Sequence, residues 1–224
     1  MTNSFLTLTA LRLIARCWVA AVGMMAFAPG LTLAAEPEWD SLFDGRDLGQ
    51  WKPTPFGGEG EVRVEAGVIQ IAIGSDMSGI TWDGEFPRTN FEVALEARRD
   101  EGFDFFCGLT FPVGEGECSF IVGGWGGTVV GLSSIDGLDA SQNTTTTTSD
   151  FESGRWYRIR VRVTPERITC FIDDKEMVDQ AVPGHAFAVR GEMLSCRPLG
   201  VATYATAASL RNLRWKTLAP SARD

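Results

Sequence analysis

Glu92, Glu96 and Arg98 are separated by even numbers of residues, so on an extended strand their side chains share one face. A carboxylate beside a guanidinium can accept a proton while the cation steadies a developing oxyanion. Glu96 as base and Arg98 as oxyanion partner are therefore the first candidate pair. The same residues also suit a cross-strand charge ladder with Arg158, Arg160 and Arg162 on a solvated sheet, where each pair contributes about 0.2–1 kcal/mol. A second region is Gly123-Gly124-Trp125-Gly126-Gly127, where four glycines leave an indole uncrowded. With Trp82 and Tyr204 it could form a stacking platform for the apolar face of a sugar ring; the alternative is a Trp buried against closely packed strands. Asp136 and Asp139 could offer oxygen ligands to Ca²⁺, but an ordinary Asp-Gly turn explains them, and no cofactor is called for. His185, the single histidine, follows Pro183-Gly184 in an irregular segment. With no nucleophile motif beside it, no Ser/His/Asp triad can be built.

The elements that must hold these residues are strands. Phe91, Val93, Leu95 and Ala97 alternate with Glu92, Ala94, Glu96 and Arg98, and Tyr157, Ile159, Val161 and Val163 alternate with Arg158, Arg160 and Arg162. Such period-two patterns give one apolar and one polar face. Residues 61–64 and 68–73 flank the turn Glu65-Ala66-Gly67, residues 168–172 lead into Asp173-Asp174-Lys175, and residues 210–218 form a terminal strand. Short β-rich runs separated by Gly, Asp, Asn and Pro predict a sandwich or barrel. Residues 141–150, with five consecutive threonines, read as a surface loop and contain the glycosylation pattern Asn143-Thr144-Thr145. Residues 183–198 are irregular, and neither an internal repeat nor a linker between domains is present.

Arg12 and Arg16 precede an apolar run from Cys17 to Leu33, which closes on Ala34-Ala35 before Glu36-Pro37-Glu38. A charged start, apolar middle and small-residue end is the pattern of a secretory signal peptide over residues 1–35. A membrane anchor is the rival, but Gly23, Pro29 and Gly30 weaken a spanning helix. Cleavage leaves 189 residues, one domain's worth, with 18 Lys+Arg against 29 Asp+Glu and a formal charge of about −11. That balance argues against nucleic acid, and no transmembrane anchor is expected after cleavage. Four cysteines remain, Cys107, Cys118, Cys170 and Cys196. In an exported chain they permit two disulfides. Cys107 and Cys118 flank a turn and are the favoured pair, with buried free thiols as the alternative. No C-x-x-C or Cys/His cluster marks a zinc site.

Specific residues also carry a family likeness. Leu42-Phe43-Asp44-Gly45-Arg46-Asp47-Leu48 with Trp51-Lys52 resembles the opening L-F-D-G-K-x-L-x-x-W of the 3-keto-disaccharide hydrolase family, first listed as a domain of unknown function. In the same order, Glu65–Ile69, Asn90–Val93 with Leu95–Arg98, Gly154–Tyr157, Phe171–Lys175 and Leu210–Arg214 resemble its later motifs, over about residues 39–218. The resemblance implies an all-β, concanavalin-like jelly roll of two antiparallel sheets over residues 36–218, its first and last strands adjacent, with a tail at 219–224. The opening motif itself reads as a turn and core anchors. The resemblance further implies cleavage of glycosides oxidised at C3, where the ketone acidifies the C2 hydrogen and permits elimination. Glu96 and Arg98 match the family's L-E-x-R positions. Residues 106–111 end in Pro112 where the family carries Arg, and residues 117–121 lack its Glu-x-Gln pair, leaving Glu117 as a displaced third catalytic candidate. Two expectations follow: an exported glycoside-cleaving enzyme, periplasmic or extracellular, with a carbohydrate partner, or a lectin-like module without catalysis on the same scaffold. Oligomeric state is not legible.

Overall fold

The computed structural model describes residues 38–219; the segment 1–35, expected to be a signal peptide, and all but the first residue of the 219–224 tail lie outside the described residues. The chain forms β1 (Asp40–Ser41), β2 (Trp51–Pro53), β3 (Val62–Glu65), β4 (Val68–Ile71), β5 (Met77–Trp82), β6 (Phe91–Gly102), β7 (Cys107–Val113) and β8 (Gly116–Gly124). It continues through β9 (Val129–Ser133), β10 (Thr147–Thr148), β11 (Trp156–Val163), β12 (Arg167–Ile172), β13 (Lys175–Ala181), a 3₁₀ helix (Gly191–Cys196), β14 (Gly200–Tyr204) and β15 (Thr206–Thr217). The first sheet runs β13-β12-β11-β6-β15-β4-β3, with β1 also on β15, and the second runs β10-β9-β8-β7-β14-β5-β2. All these pairings are antiparallel, and β1 lies on β15 with Asp40 opposite Trp215. Of the sandwich and the barrel that the alternation allows, the chain forms the sandwich, and its two sheets with first and last strands adjacent are what the family likeness implies.

Alternation decides what each sheet buries. Phe91, Val93, Leu95 and Ala97 of β6 and Tyr157, Ile159, Val161 and Val163 of β11 point inward, as do Leu109, Phe111, Phe120 and Val122 of the second sheet, in one continuous core. Burying each large side chain contributes about 1.5–3 kcal/mol. The opening motif anchors that core: Leu42, Phe43 and Trp51 are buried, and the Trp51 indole donates to the Leu42 carbonyl at 2.9 Å. Ala66-Gly67 joins β3 to β4 with positive φ at both residues, the twist a two-residue hairpin requires.

Several expectations change. Cys107 stands opposite Val122 and Cys118 opposite Phe111. The two are four ladder positions apart, on the order of 13 Å along the strand, and a disulfide needs Cα atoms within about 7 Å. Cys107, Cys118, Cys170 and Cys196 are all free and buried. The 141–150 loop contains a two-residue strand, β10, paired with β9. Asn143 organises that loop: its Nδ2 donates to the carbonyls of Leu132, Leu138 and Asp139. A glycan at Asn143 would have to displace those bonds. Among the described residues no helix is long and apolar enough to cross a membrane.

Candidate functional site

The outer face of the second sheet carries a second, smaller cluster. Met77, Ala202, Met193 and Cys196 bury one another there, with Phe56, Phe105 and Val189 packed alongside. The cover is the irregular segment 183–198. It is stitched to the 134–139 turn by Ser134 N–H to Ala188 O (2.5 Å), Asp136 N–H to Ala186 O (2.8 Å) and an Arg190–Asp139 ion pair (2.9 Å). Where the cover stops, a cleft of about 220 Å³ opens. Its walls include Trp125, Tyr204, Asp104, Ser133, Arg190 and Glu192.

Trp125 is exposed, at 41 % of its surface. It sits in the β8–β9 connection at φ +49°, between Gly123 (φ +77°) and Gly126 and Gly127 (φ +85° and +107°). Only glycine takes such angles cheaply, so the glycines form the bend that leaves the indole at the surface. Beneath the bend lies Arg99, 7 % exposed, whose Nη2 donates to the carbonyls of Asp104 and Gly127, each at 3.2 Å. A methyl on Gly123 would stand 2.8 Å from that guanidinium nitrogen, so a larger residue there would have to displace Arg99 as well as adopt a positive φ. Desolvation holds the Arg99 pKa below its ordinary value, and the nearby Asp104 charge partly offsets that. The Asp104 carboxylate accepts from Phe105 N–H and Gly126 N–H, both at 2.8 Å. Arg99 and Asp104 thus fix the loop that presents Trp125.

The opposite wall belongs to the cover. The Arg190 guanidinium carbon lies 5.9 Å from the Trp125 ring centre, and its Nε donates to Glu192 at 2.7 Å. Tyr204, 39 % exposed, stacks on Phe105 at 6.1 Å. Ser133 Oγ, at the cleft wall, is buried without a hydrogen-bond partner in the structure, as is Arg99 Nε. A buried hydroxyl is normally satisfied, so Ser133 offers an unused donor or acceptor. An aromatic face, a stacked tyrosine, a guanidinium, a carboxylate and a spare hydroxyl are what a polar ring with apolar faces needs for recognition.

The residues singled out in the sequence are divided by the fold. Trp125 and Tyr204 come together as expected. Trp82 does not join them: it is buried in the core, edge-on to Trp51 at 5.2 Å. Glu96 and Arg98 lie on the outer face of the first sheet, on the other side of the sandwich. Burial pushes the Glu96 carboxyl up, but hydrogen bonds from Arg211 and Asn212 and the charges of Arg211 and Arg158 outweigh it and hold the pKa below the usual range. Arg98 bonds Asp100 at 2.5 Å and lies over Trp156. Both are therefore members of a charge ladder on that face and do not line the Trp125 cleft. Glu117 is bonded to Arg88 at 3.0 Å, with Arg197 at 3.9 Å, and does not line the cleft. Asp136 holds His185 Nδ1 at 2.7 Å and Ala186 N–H at 2.8 Å, whereas Asp139 holds Arg190 and Ser141. The two aspartates serve different partners, and His185 serves the cover's attachment. Asp104, Ser133, Arg190 and Glu192 were not among the residues picked from sequence. Arg99 alone left a readable mark, because it continues the inward series of residues 91, 93, 95 and 97 with a cation.

Residues 38–216 match the family of domains described as 3-keto-α-glucoside-1,2-lyase-like. No curated protein matches the chain in sequence. Among solved structures, the Crh5 transglycosylase in complex with NAG is similar at 13 % identity and a TM-score of 0.53, covering 84 % of this chain and 86 % of that one. A provisionally assigned glycosyl hydrolase from Parabacteroides distasonis is similar at 14 % identity and a TM-score of 0.51, covering 81 % and 94 %. A protein of unknown function with a galectin-like fold from Bacillus subtilis is similar at 10 % identity and a TM-score of 0.52, covering 80 % and 94 %. At these identities the three establish the shared fold.

Proposed function

This chain belongs to the 3-keto-α-glucoside-1,2-lyase-like domain family, and from that premise we propose that it takes a glycoside oxidised at C3 into the cleft on the second sheet and cleaves it by elimination. The observation that carries the reading is the exposed Trp125 indole, held out by a glycine bend, with Arg190 and Glu192 across the cleft from it. A sugar ring stacked on Trp125 presents its edge to those two charged side chains. Glu192 accepts from Arg190 at Oε1, which leaves Oε2 to act as the base. It would take the C2 proton, the C2–H electron pair forming the enolate whose oxygen Arg190 faces. Collapse of the enolate then makes the C1–C2 double bond and breaks the C1–O bond. The departing oxygen takes a proton from water, and addition of water across C1–C2 returns a free 3-keto sugar. Export is part of the proposal, since the leader at residues 1–35 would confine the substrate to outside the cytoplasm.

One observation favours a binding-only alternative: both oxygens of Asp104 are taken by backbone N–H groups, and Glu192 is ion-paired. Incubation of the purified protein with 3-keto-glycosides and their unoxidised parents, followed by mass spectrometry, separates the two. Elimination requires turnover of the keto form and its loss in Glu192→Gln with binding retained. Binding without turnover leaves the sugar-binding module, and absence of both sinks the cleft as a sugar site.

A further inference from the structure

The outer face of the first sheet forms a lattice of three strands, with β6 in the middle and β11 and β15 on either side. Its rows read Arg162–Glu92–Lys216, Arg160–Ala94–Arg214 and Arg158–Glu96–Arg211. In the outer two rows a central carboxylate is flanked by two cations. Glu92 meets Arg160, Arg162 at 3.3 Å and Lys216 at 3.6 Å, and Glu96 meets Arg211 at 2.6 Å and Asn212 at 2.6 Å. The middle row has an alanine where the carboxylate would be.

The middle row is built rather than incidental. A bulge in β15 between Arg211 and Arg214, with Asn212 at φ +55°, turns Leu213 into the core and sets Arg214 opposite Ala94. Arg214 lies over the Trp39 ring at 4.7 Å, and Arg160 over the Phe171 ring at 3.8 Å, so both guanidiniums are braced by aromatic faces. Their strands are two ladder spacings apart, about 9.6 Å, a gap that one small oxyanion can bridge. A hollow of about 90 Å³ lies between them, and its lining includes Ala94, Arg158, Arg160 and Arg214 together with the carboxylates Glu96 and Asp174. Arg158 is paired with Asp174 at 2.6 Å. The lattice and Asp174 together hold six cations against three carboxylates, in a chain whose formal net charge is −9.

We propose that the hollow over Ala94 is an oxyanion site, which takes one sulfate, phosphate or carboxylate group of a small ligand between Arg160 and Arg214. Bidentate guanidinium pairing suits such a group. The surrounding carboxylates Glu92, Glu96 and Asp174 and the acidic remainder of the chain disfavour an extended polyanion. This site lies on the opposite sheet from the sugar cleft and does not depend on it.

Isothermal titration of the purified protein with sodium sulfate, and separately with glucose 6-sulfate, against sodium chloride at matched ionic strength tests it. Saturable sulfate binding is expected, and Ala94→Glu, which supplies the missing carboxylate internally, should weaken it about tenfold or more. Arg214→Gln should do the same, and it decides the matter if Ala94→Glu does not fold. Trp125→Ala, in the cleft, should leave sulfate binding unchanged. Tighter binding of the sugar sulfate identifies a sugar-borne group; equal binding identifies the free anion. Absence of saturable binding, binding that survives both lattice substitutions, or binding lost in Trp125→Ala overturns the proposal.

Discussion

Asp104→Asn probes the support beneath Trp125. The substitution keeps shape and removes the charge. Asp104 accepts two backbone N–H bonds at 2.8 Å, from Phe105 and Gly126, and its charge is a counterweight for the buried Arg99. An asparagine retains an acceptor for one of those bonds and turns its NH₂ toward the other donor. A hydrogen bond to a charged group contributes about 1.5–3 kcal/mol, and stripping a buried charge of its partner costs about 3–5 kcal/mol. Arg99 keeps its two carbonyl acceptors and forms no direct ion pair with the Asp104 carboxylate, so the loss straddles the two ranges, at about 2–4 kcal/mol. In a domain of this size each 1 kcal/mol moves Tm by about 2–4 °C, so the melting temperature should fall by roughly 5–15 °C. Urea unfolding followed by tryptophan fluorescence gives the free energy, and native-state quenching by iodide reports the Trp125 loop. A loss under about 0.5 kcal/mol with unchanged quenching would refute the account of the Arg99–Asp104 support.

Glu92 is buried among Arg160, Arg162 and Lys216. Glu92→Gln should therefore destabilise by about 3–5 kcal/mol, measured by denaturant titration. Glu96 has a depressed folded-state pKa, so its contribution is present above the unfolded pKa and lost as pH falls through the folded one. The stability gap between wild type and Glu96→Gln should accordingly close under acid, while turnover of a 3-keto-glycoside stays intact. Burial pushes the Cys118 and Cys196 thiols up to about 12 and those of Cys107 and Cys170 upward as well. None of the four should react with a thiol reagent in the native domain at pH 8, and all four should react in urea, as an Ellman titration can show.

The sandwich was legible because the apolar alternation in residues 91–97 and 157–163 survives unbroken in β6 and β11, and each polar partner does face outward. What alternation does not say is which outer face a residue lies on. A sandwich has two, and Glu96 and Trp125, both outward, fall on opposite ones. The glycine bend around Trp125 could be read, since four glycines in five residues have a backbone reason. Arg190 and Glu192 could not, because they reach the cleft only when an irregular segment is laid across the second sheet. The cysteine pairing failed on register, as residues flanking a turn face each other only when equally distant from it. Arg99 was the overlooked clue, an inward cation in an apolar series.

The central claim is that sugar is bound on the second sheet at Trp125, away from the Glu96–Arg98 face of the first. Titration of a 3-keto-glucoside into wild type, Trp125→Ala and Glu96→Gln tests it most directly. Losing a stacked indole face removes about 1.5–3 kcal/mol, roughly a ten- to hundredfold loss of affinity. The account predicts that loss in Trp125→Ala and unchanged affinity in Glu96→Gln. The reverse pattern, with affinity lost in Glu96→Gln and kept in Trp125→Ala, would contradict it.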